Sequence, residues 1–206
     1  MSKKEAPLSH LQQFIPDKAG QLVLDYLHQY KVHLTITRTR KSILGDYRHA
    51  TGSDHHRISV NGNLNKYAFL ITLIHEMGHL ITYQQYGNRV QSHGKEWKLA
   101  YRHVLEDFMK LKLFPADLHQ TLLKSLHDLP ASSCSDVNLT RALKSYDARD
   151  KTVLAEDIKE GGLFKTSDGR VFKRGKQIRK TIEGVEIPSG KLYLFSPVYE
   201  VEPVNK

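Results

Sequence analysis

Apolar residues cover nearly every side of one predicted helix near the middle of the chain, residues 66–86. A helix with this pattern should be central and buried. Asn65 can cap its start and Gly87 follows its end, as is typical of helix boundaries. A second helix should open near Ser92, with an apolar stripe that begins at Trp97. The second helix should therefore fold back over the first.

Strand patterns lie on both sides of this helical region. Before it, a helix over residues 16–30 precedes two alternating runs, residues 32–40 and 56–62, while Gly45 and residues 49–56 indicate turns. These runs predict a small antiparallel sheet. After it, outer helices are predicted over residues 116–126 and 137–146.

The last fifty residues have a different character, because short alternating runs replace the helical pattern. Asp168 and Gly169 separate the runs LFKTS and RVFKR, which is a strong hairpin signal, and KQIRKTIE, KLYLF and VYEVEPV follow. We predict an α+β protein with a core over residues 1–158 and a small antiparallel β module over residues 159–206, packed on the core.

Composition and charge limit the compartment and the partners that can be expected for the protein. With 206 residues the chain can bury a true core, and its single cysteine, Cys134, excludes an intramolecular disulfide and an all-cysteine zinc site. The N-terminus lacks the apolar segment of a signal peptide, and no apolar run is long enough to span a bilayer. We expect a soluble cytoplasmic protein. Its net charge of +9 favours an anionic partner, with nucleic acid first.

The central helix carries His75, Glu76 and His79 where a core helix normally carries leucine. Residues four apart lie on one helix face, so both imidazoles can bind one cation, with Glu76 beside it as general base for water. Zinc coordination would compensate for the hydration that the imidazoles lose on burial. The pattern predicts one Zn²⁺ per chain and a hydrolase, and the preceding sheet edge favours a peptide substrate.

A catalytic zinc takes three protein ligands and keeps one position open. His93 is the leading third ligand, because it lies four residues before Trp97 and would face inward if the second helix already includes it. Glu96 and Glu106 remain alternatives, although Glu106 lies off the Trp97 stripe and Glu96 points away from it.

Two other points concern the class of enzyme and its remaining groups. The metzincin pattern is excluded, because Thr82 and Gln85 occupy the positions of its glycine and third histidine. No residue can be assigned as the oxyanion donor, since Tyr83 and Tyr86 both suit packing positions. A nucleic-acid-binding adaptor that keeps zinc for stability and cleaves nothing is the alternative function.

The segments HEMGH, from His75, and SHGKEW, from Ser92, resemble the SprT-like family of zinc metalloproteases, to which Spartan belongs. The likeness extends over residues 20–112. It implies a zincin-like fold, His75, His79 and His93 as zinc ligands, and Glu76 as catalytic base. For the Spartan branch it also implies DNA-stimulated cleavage of proteins bound or crosslinked to DNA. Many members carry a cysteine zinc ribbon after the core, whereas the C-terminal module here has no cysteine, so no second zinc is expected.

Basic residues concentrate in two places that could contact nucleic acid. Phe164 and Phe172 lie among the cations of the C-terminal module and could stack on bases, although strand alternation favours them as its core. A second cluster lies on the sheet before the motif, where Lys41 and Arg48 accompany the main candidates. The candidate residues are Arg38, Arg40, Lys173, Arg174, Lys176, Arg179 and Lys180.

Overall fold

The structure is a computed structural model that describes residues 8–40, 43–52, 55–127, 136–148 and 151–204. It forms two compact units, Met1–Tyr146 and Asp147–Lys206. The predicted module begins at residue 159, whereas the second unit begins at Asp147, because a strand at Val153–Leu154 already pairs within the C-terminal sheet. Packing of the module on the core stays a prediction.

The first unit surrounds a long central helix with a small sheet and further helices. Its helices and strands, in chain order, are α1 (Leu8–Leu11), α2 (Gly20–Gln29), β1 (Val32–Thr37), β2 (Gly45–Arg48), β3 (His56–Asn61), α3 (Lys66–Tyr86), α4 (Lys95–Lys110), α5 (Ala116–His127) and α6 (Val137–Lys144).

Helix α3 forms where the apolar pattern and its boundary residues predicted it. The Asn65 side chain accepts hydrogen bonds from the backbone N–H groups of Tyr67 and Ala68, at 3.1 and 2.9 Å. Gly87 ends the helix with φ of 60°, a value that favours glycine. The helix is buried along most of its length and lies in the largest apolar cluster of the unit. Its polar residues His75 and Glu76 therefore lie in the interior of the first unit.

The small sheet is mixed, so the prediction of an antiparallel sheet was wrong. Its strand order is β1-β3-β2, with β1 parallel to β3 and β2 antiparallel to β3. Strand β2 was not predicted, since Gly45 was interpreted as a turn residue. Because β2 adds one more reversal of the chain, β3 returns parallel to β1.

The second unit is a six-stranded antiparallel sheet. Its strands are β4 (Val153–Leu154), β5 (Leu163–Lys165), β6 (Val171–Ile178), β7 (Thr181–Ile187), β8 (Leu192–Phe195) and β9 (Glu200–Val204). Their order in the sheet is β4-β9-β5-β6-β7-β8. Phe164 and Phe172 are fully buried, which confirms the prediction that they form its core. The run KQIRKTIE is not one strand, because the chain turns at Arg179 and Lys180.

None of the helices within the described residues is long and apolar enough to cross a membrane.

Candidate metal centre

Helix α3 brings His75, Glu76 and His79 to the interior of the first unit. His75 and Glu76 are buried, with 9% and 7% of their surfaces exposed, and His79 is half-buried. The two histidines are one helical turn apart, and their Nε2 atoms lie 3.1 Å from each other. The middle of the helix thus presents two imidazole nitrogens on one face and close together, as the spacing predicted.

His93 reaches the same point from the turn before α4. Its Nε2 atom lies 3.2 Å from Nε2 of His75. The second helix was expected to open near Ser92, but α4 begins at Lys95 after a Gly94 cap, so His93 precedes the helix. The turn carries the imidazole inward all the same.

The three imidazoles form a set of donors that suits one metal ion. Their ligand atoms all lie within 4.8 Å of one another. Two nitrogens at the usual zinc distance of about 2.0–2.1 Å, on a tetrahedral ion, would be about 3.3 Å apart. The separations of 3.1 and 3.2 Å are close to that value. Among the described residues, neither Glu96 nor Glu106 joins the group.

A shared metal ion uses the three imidazole nitrogens more fully than hydrogen bonding between the rings does. Nε2 of a neutral imidazole carries either one proton or one lone pair, so it takes part in one strong hydrogen bond. Nε2 of His75 approaches the Nε2 atoms of both His79 and His93. In a hydrogen-bonded arrangement, Nε2 of His75 would share its single proton or lone pair between two partners, whereas a shared cation would use a lone pair from each ring. The donor set therefore fits a metal.

The protonation state of the three histidines also suits metal binding. Burial, together with the neighbouring imidazoles His79 and His93, lowers the pKa of His75 to about 3. Burial and His93 lower the pKa of His79 to about 4, and burial also lowers that of His93. All three rings are therefore neutral at pH 7, which is the form that binds a metal ion.

The indole ring of Trp97 contacts the rings of all three histidines. Its ring centroid lies 4.7 Å from His75, 5.4 Å from His79 and 4.7 Å from His93. Tyr101 stacks on the indole, at 5.1 Å and 11°. The sequence placed Trp97 on an apolar stripe but gave no sign that it orients the imidazoles.

Gly78, between the two motif histidines, lets α4 approach α3 closely. A Cβ atom at this position would lie 3.0 Å from Nε1 of Trp97 and 3.2 Å from Cβ of Tyr101. A side chain there would separate the helices, so the absence of one brings Trp97 and the His93 turn against the motif.

Glu76 lies against strand β2. Burial raises the pKa of Glu76 to about 8, and the charge of Asp46 adds to the rise. The guanidinium of Arg40 and the backbone N–H of Tyr47, which donates to the carboxylate, act in the opposite direction. A carboxyl group whose pKa lies near neutrality can both accept and return a proton.

A cluster of aromatic and polar side chains continues from β2 to the end of α3. The Tyr47 hydroxyl lies 2.9 Å from Nδ1 of His56, and the Gln84 amide lies 2.9 Å from Nε2 of the same ring. Tyr83 stacks on His49 at 4.5 Å and 8°. The hydroxyl of Tyr47 is thus engaged and the ring of Tyr83 packs, so the oxyanion donor remains unassigned.

The candidate nucleic-acid residues are divided between the two units. Arg40 points inward, where its guanidinium donates to the side chains of Asn61 and Ser59 at 2.8 and 2.9 Å. Arg38 is exposed, and Lys41 lies outside the described residues. In the second unit, Arg174 is half-buried, whereas four cations are exposed, namely Lys173, Lys176, Arg179 and Lys180.

The fold and the site define an α+β protein with an HExxH helix and three converging histidines that could hold a metal ion. The sequence profile of the SprT-like family matches residues 11–119, just over half of the chain. The chain therefore belongs to the SprT-like family, and its helices, mixed sheet and HExxH segment are consistent with the zincin-like fold expected from the resemblance.

Curated relatives match over a short segment. Protein SprT of Pseudomonas putida is 49% identical over 35 residues, 17% of this chain and 21% of the relative. Protein SprT of Pseudomonas fluorescens SBW25 is 51% identical over the same length and shares. Protein SprT of Glaesserella parasuis is 58% identical over 31 residues, 15% of this chain and 19% of the relative. The matched segment thus spans about a fifth of these relatives. No solved structure gives a significant match.

Proposed function

We propose that this protein is a zinc-dependent metalloprotease that hydrolyses peptide bonds. His75, His79 and His93 would hold the ion, and Glu76 would be the catalytic base. The observation that carries the proposal is the meeting of three neutral imidazole nitrogens at the helix that also carries the buried carboxyl group of Glu76. Membership of the SprT-like family supports the same conclusion.

Each group of this chain has a chemical part in the proposed reaction. When bound, zinc would supply a Lewis acid that makes water more acidic and polarises a carbonyl group. Glu76 would take a proton from the attacking water and deliver it to the leaving amine. Trp97 and the burial of the site would keep the imidazoles oriented and limit access of bulk water.

The position of β2 supports an extended peptide as the substrate. This strand is at the edge of its sheet, and Gly45 at its start lies against Glu76. An edge strand can pair its free backbone groups with an extended chain. A peptide aligned in this way would pass beside the proposed catalytic base.

A Glu76→Gln variant tests the enzymatic proposal. The wild-type protein, loaded with zinc, should cleave an unstructured protein such as β-casein, and Glu76→Gln should bind equal zinc but lose cleavage. His93→Ala should weaken zinc binding. A wild-type protein that holds one zinc per chain and cleaves no unfolded or DNA-bound protein would favour the adaptor instead.

A basic row on the small sheet favours DNA-associated proteins as the substrates. Arg57 lies directly between His33 and Arg48 in the register of the three strands. All three side chains are exposed. Like charges on directly opposed residues destabilise a sheet. Arg48 already pairs with Asp46 at 2.8 Å, so Arg57 is the arginine of this row that an anionic partner would neutralise.

DNA affinity and its salt dependence test this second part. Arg57→Gln should weaken binding and lower the slope of log affinity against log salt, because fewer counterions are released. Lys173→Gln and Lys176→Gln test whether the second unit also binds DNA, and each should weaken binding in the same way. Lys124→Gln on α5 is the matched control. An affinity that does not change with salt would contradict an electrostatic contact.

A further inference from the structure

Strand β2 fits onto helix α3 through a glycine that faces the proposed catalytic base. A Cβ atom at Gly45 would lie 2.6 Å from Oε1 of Glu76, 2.9 Å from its Cγ and 2.7 Å from Cγ2 of Thr72. Thr72 and Glu76 are one helical turn apart, so together they form a ridge on α3. Only a residue without a side chain can lie on that ridge at this distance.

The same strand supplies a hydrogen bond to the carboxylate. The backbone N–H of Tyr47, two residues after Gly45, donates to Glu76. Residues two apart in a strand have the same orientation, so Gly45 and Tyr47 both face the helix. The bare Cα of Gly45 brings the strand close enough for this N–H to reach the carboxylate.

Asn61 fixes the chain that leads into β2. Its side chain is buried, with 1% exposed, and its amide nitrogen donates to the backbone oxygens of Arg40 and Ile43, at 3.2 and 3.0 Å. Its backbone N–H donates to the oxygen of Leu44 at 2.9 Å. Its side-chain oxygen accepts from Nε of Arg40 at 2.8 Å. The residue before Gly45 is thus tied to the end of β3.

We propose that strand β2 is the positioning element for Glu76, with Gly45 as the positioning residue. Gly45 leaves the space that the carboxylate occupies, and the N–H of Tyr47 orients it. The Asn61 contacts hold both in place. Gly45 contacts none of the three histidines in this scheme, and its effect on the chemical step passes through Glu76. The kinetic part of the inference rests on the proposed protease function.

A Gly45→Ala variant tests the proposal. Ordinary contact with a Cβ atom begins at 3.4 Å, so the carboxylate or the strand must move by about 0.8 Å, and misplacement of about 1 Å can cost 10²-fold in rate. We expect kcat for β-casein to fall about 10- to 100-fold, with KM within about threefold and zinc content unchanged. Gly20→Ala is the matched control, because no atom lies within 4 Å of its Cβ position.

The Tyr47 amide proton gives a readout that needs neither activity nor zinc. In ¹⁵N-tyrosine-labelled protein, its resonance can be assigned through Tyr47→Phe among the ten tyrosines. A hydrogen bond to a carboxylate shifts an amide proton downfield. We expect that shift in the wild type, and its loss in both Gly45→Ala and Glu76→Ala but not in Gly20→Ala.

The two readouts separate this inference from the protease proposal. If the wild-type protein cleaves nothing, the protease proposal fails, whereas the amide resonance still decides how Glu76 is held. If Gly45→Ala does not fold, comparison of wild type with Glu76→Ala decides the same point. A Tyr47 amide resonance that is the same in wild type and Glu76→Ala would overturn the inference. A Gly45→Ala enzyme with wild-type kcat would also overturn it.

Discussion

Substitution of Gly78 by alanine should weaken both the fold and the metal centre. Alanine is the better helix former, by about 1 kcal/mol in a helix interior. Against this gain, the new Cβ would lie 3.0, 3.2 and 3.3 Å from Nε1 of Trp97 and from Cβ and Cα of Tyr101. The last contact is with backbone, so α4 itself must move by a few tenths of an ångström.

The size of the loss follows from these two opposing effects. Overpacking of a well-packed core costs about 1–3 kcal/mol, which exceeds the gain in helix propensity. We therefore expect the free energy of unfolding of Gly78→Ala to fall by up to about 2 kcal/mol relative to wild type. Since Trp97 contacts all three histidine rings, the same displacement should lower zinc affinity.

Urea unfolding followed by tryptophan fluorescence measures the first effect. Trp97 is the only tryptophan in the chain and is 1% exposed, so its emission should shift to the red when the helices separate. Competition with a chromophoric chelator measures zinc affinity. Gly20→Ala, where the space is open, should be neutral or stabilising. A Gly78→Ala protein that is as stable as Gly20→Ala and binds zinc like wild type would refute the reasoning.

Three further perturbations have expected outcomes. Burial alone would raise the pKa of Asp107, but hydrogen bonds from Lys110 and Tyr26 lower it. Asp107→Asn should therefore cost about 1 kcal/mol at pH 7, and its difference from wild type should shrink as the pH falls below about 4 in urea unfolding. Gly184→Ala, whose Cβ would lie 2.5 Å from Cε2 of Phe195, should destabilise the second unit by about 1–3 kcal/mol, seen as early loss of its NMR signals. Zinc at 100 times its Kd should stabilise the native protein by about 2.7 kcal/mol, and a chelator should reverse the rise in Tm.

The sequence predicted helix α3 well because its signals are local. Asn65, the apolar run and Gly87 lie next to one another, and each acts on the backbone within a few residues. The motif histidines share one face for the same reason. Their contact with His93 depends on how the chain turns after Gly87. The helix expected to open near Ser92 begins at Lys95, so the turn that carries His93 was not predicted.

Strand β2 could not be predicted because its stability comes from partners far along the chain. The four residues of Gly45–Arg48 show no apolar alternation, and they pair with residues 57–60 of β3. Once β2 was missed, the antiparallel sheet was the natural expectation for two successive strands. The position of Gly45 against Glu76 also depends on long-range packing, so the sequence could not distinguish this glycine from a turn residue.

The structure assigns the two halves of the proposed chemistry to different neighbours of one helix. Helix α4 orients the imidazoles, through Trp97 and the close approach at Gly78, whereas strand β2 orients the base, through Gly45. These contacts lie on different elements, so their effects should separate. Gly78→Ala should lose zinc affinity, and Gly45→Ala should keep zinc but lose kcat. If both variants lose zinc equally, α3 and its neighbours respond as one packed body, and no separate support for Glu76 exists.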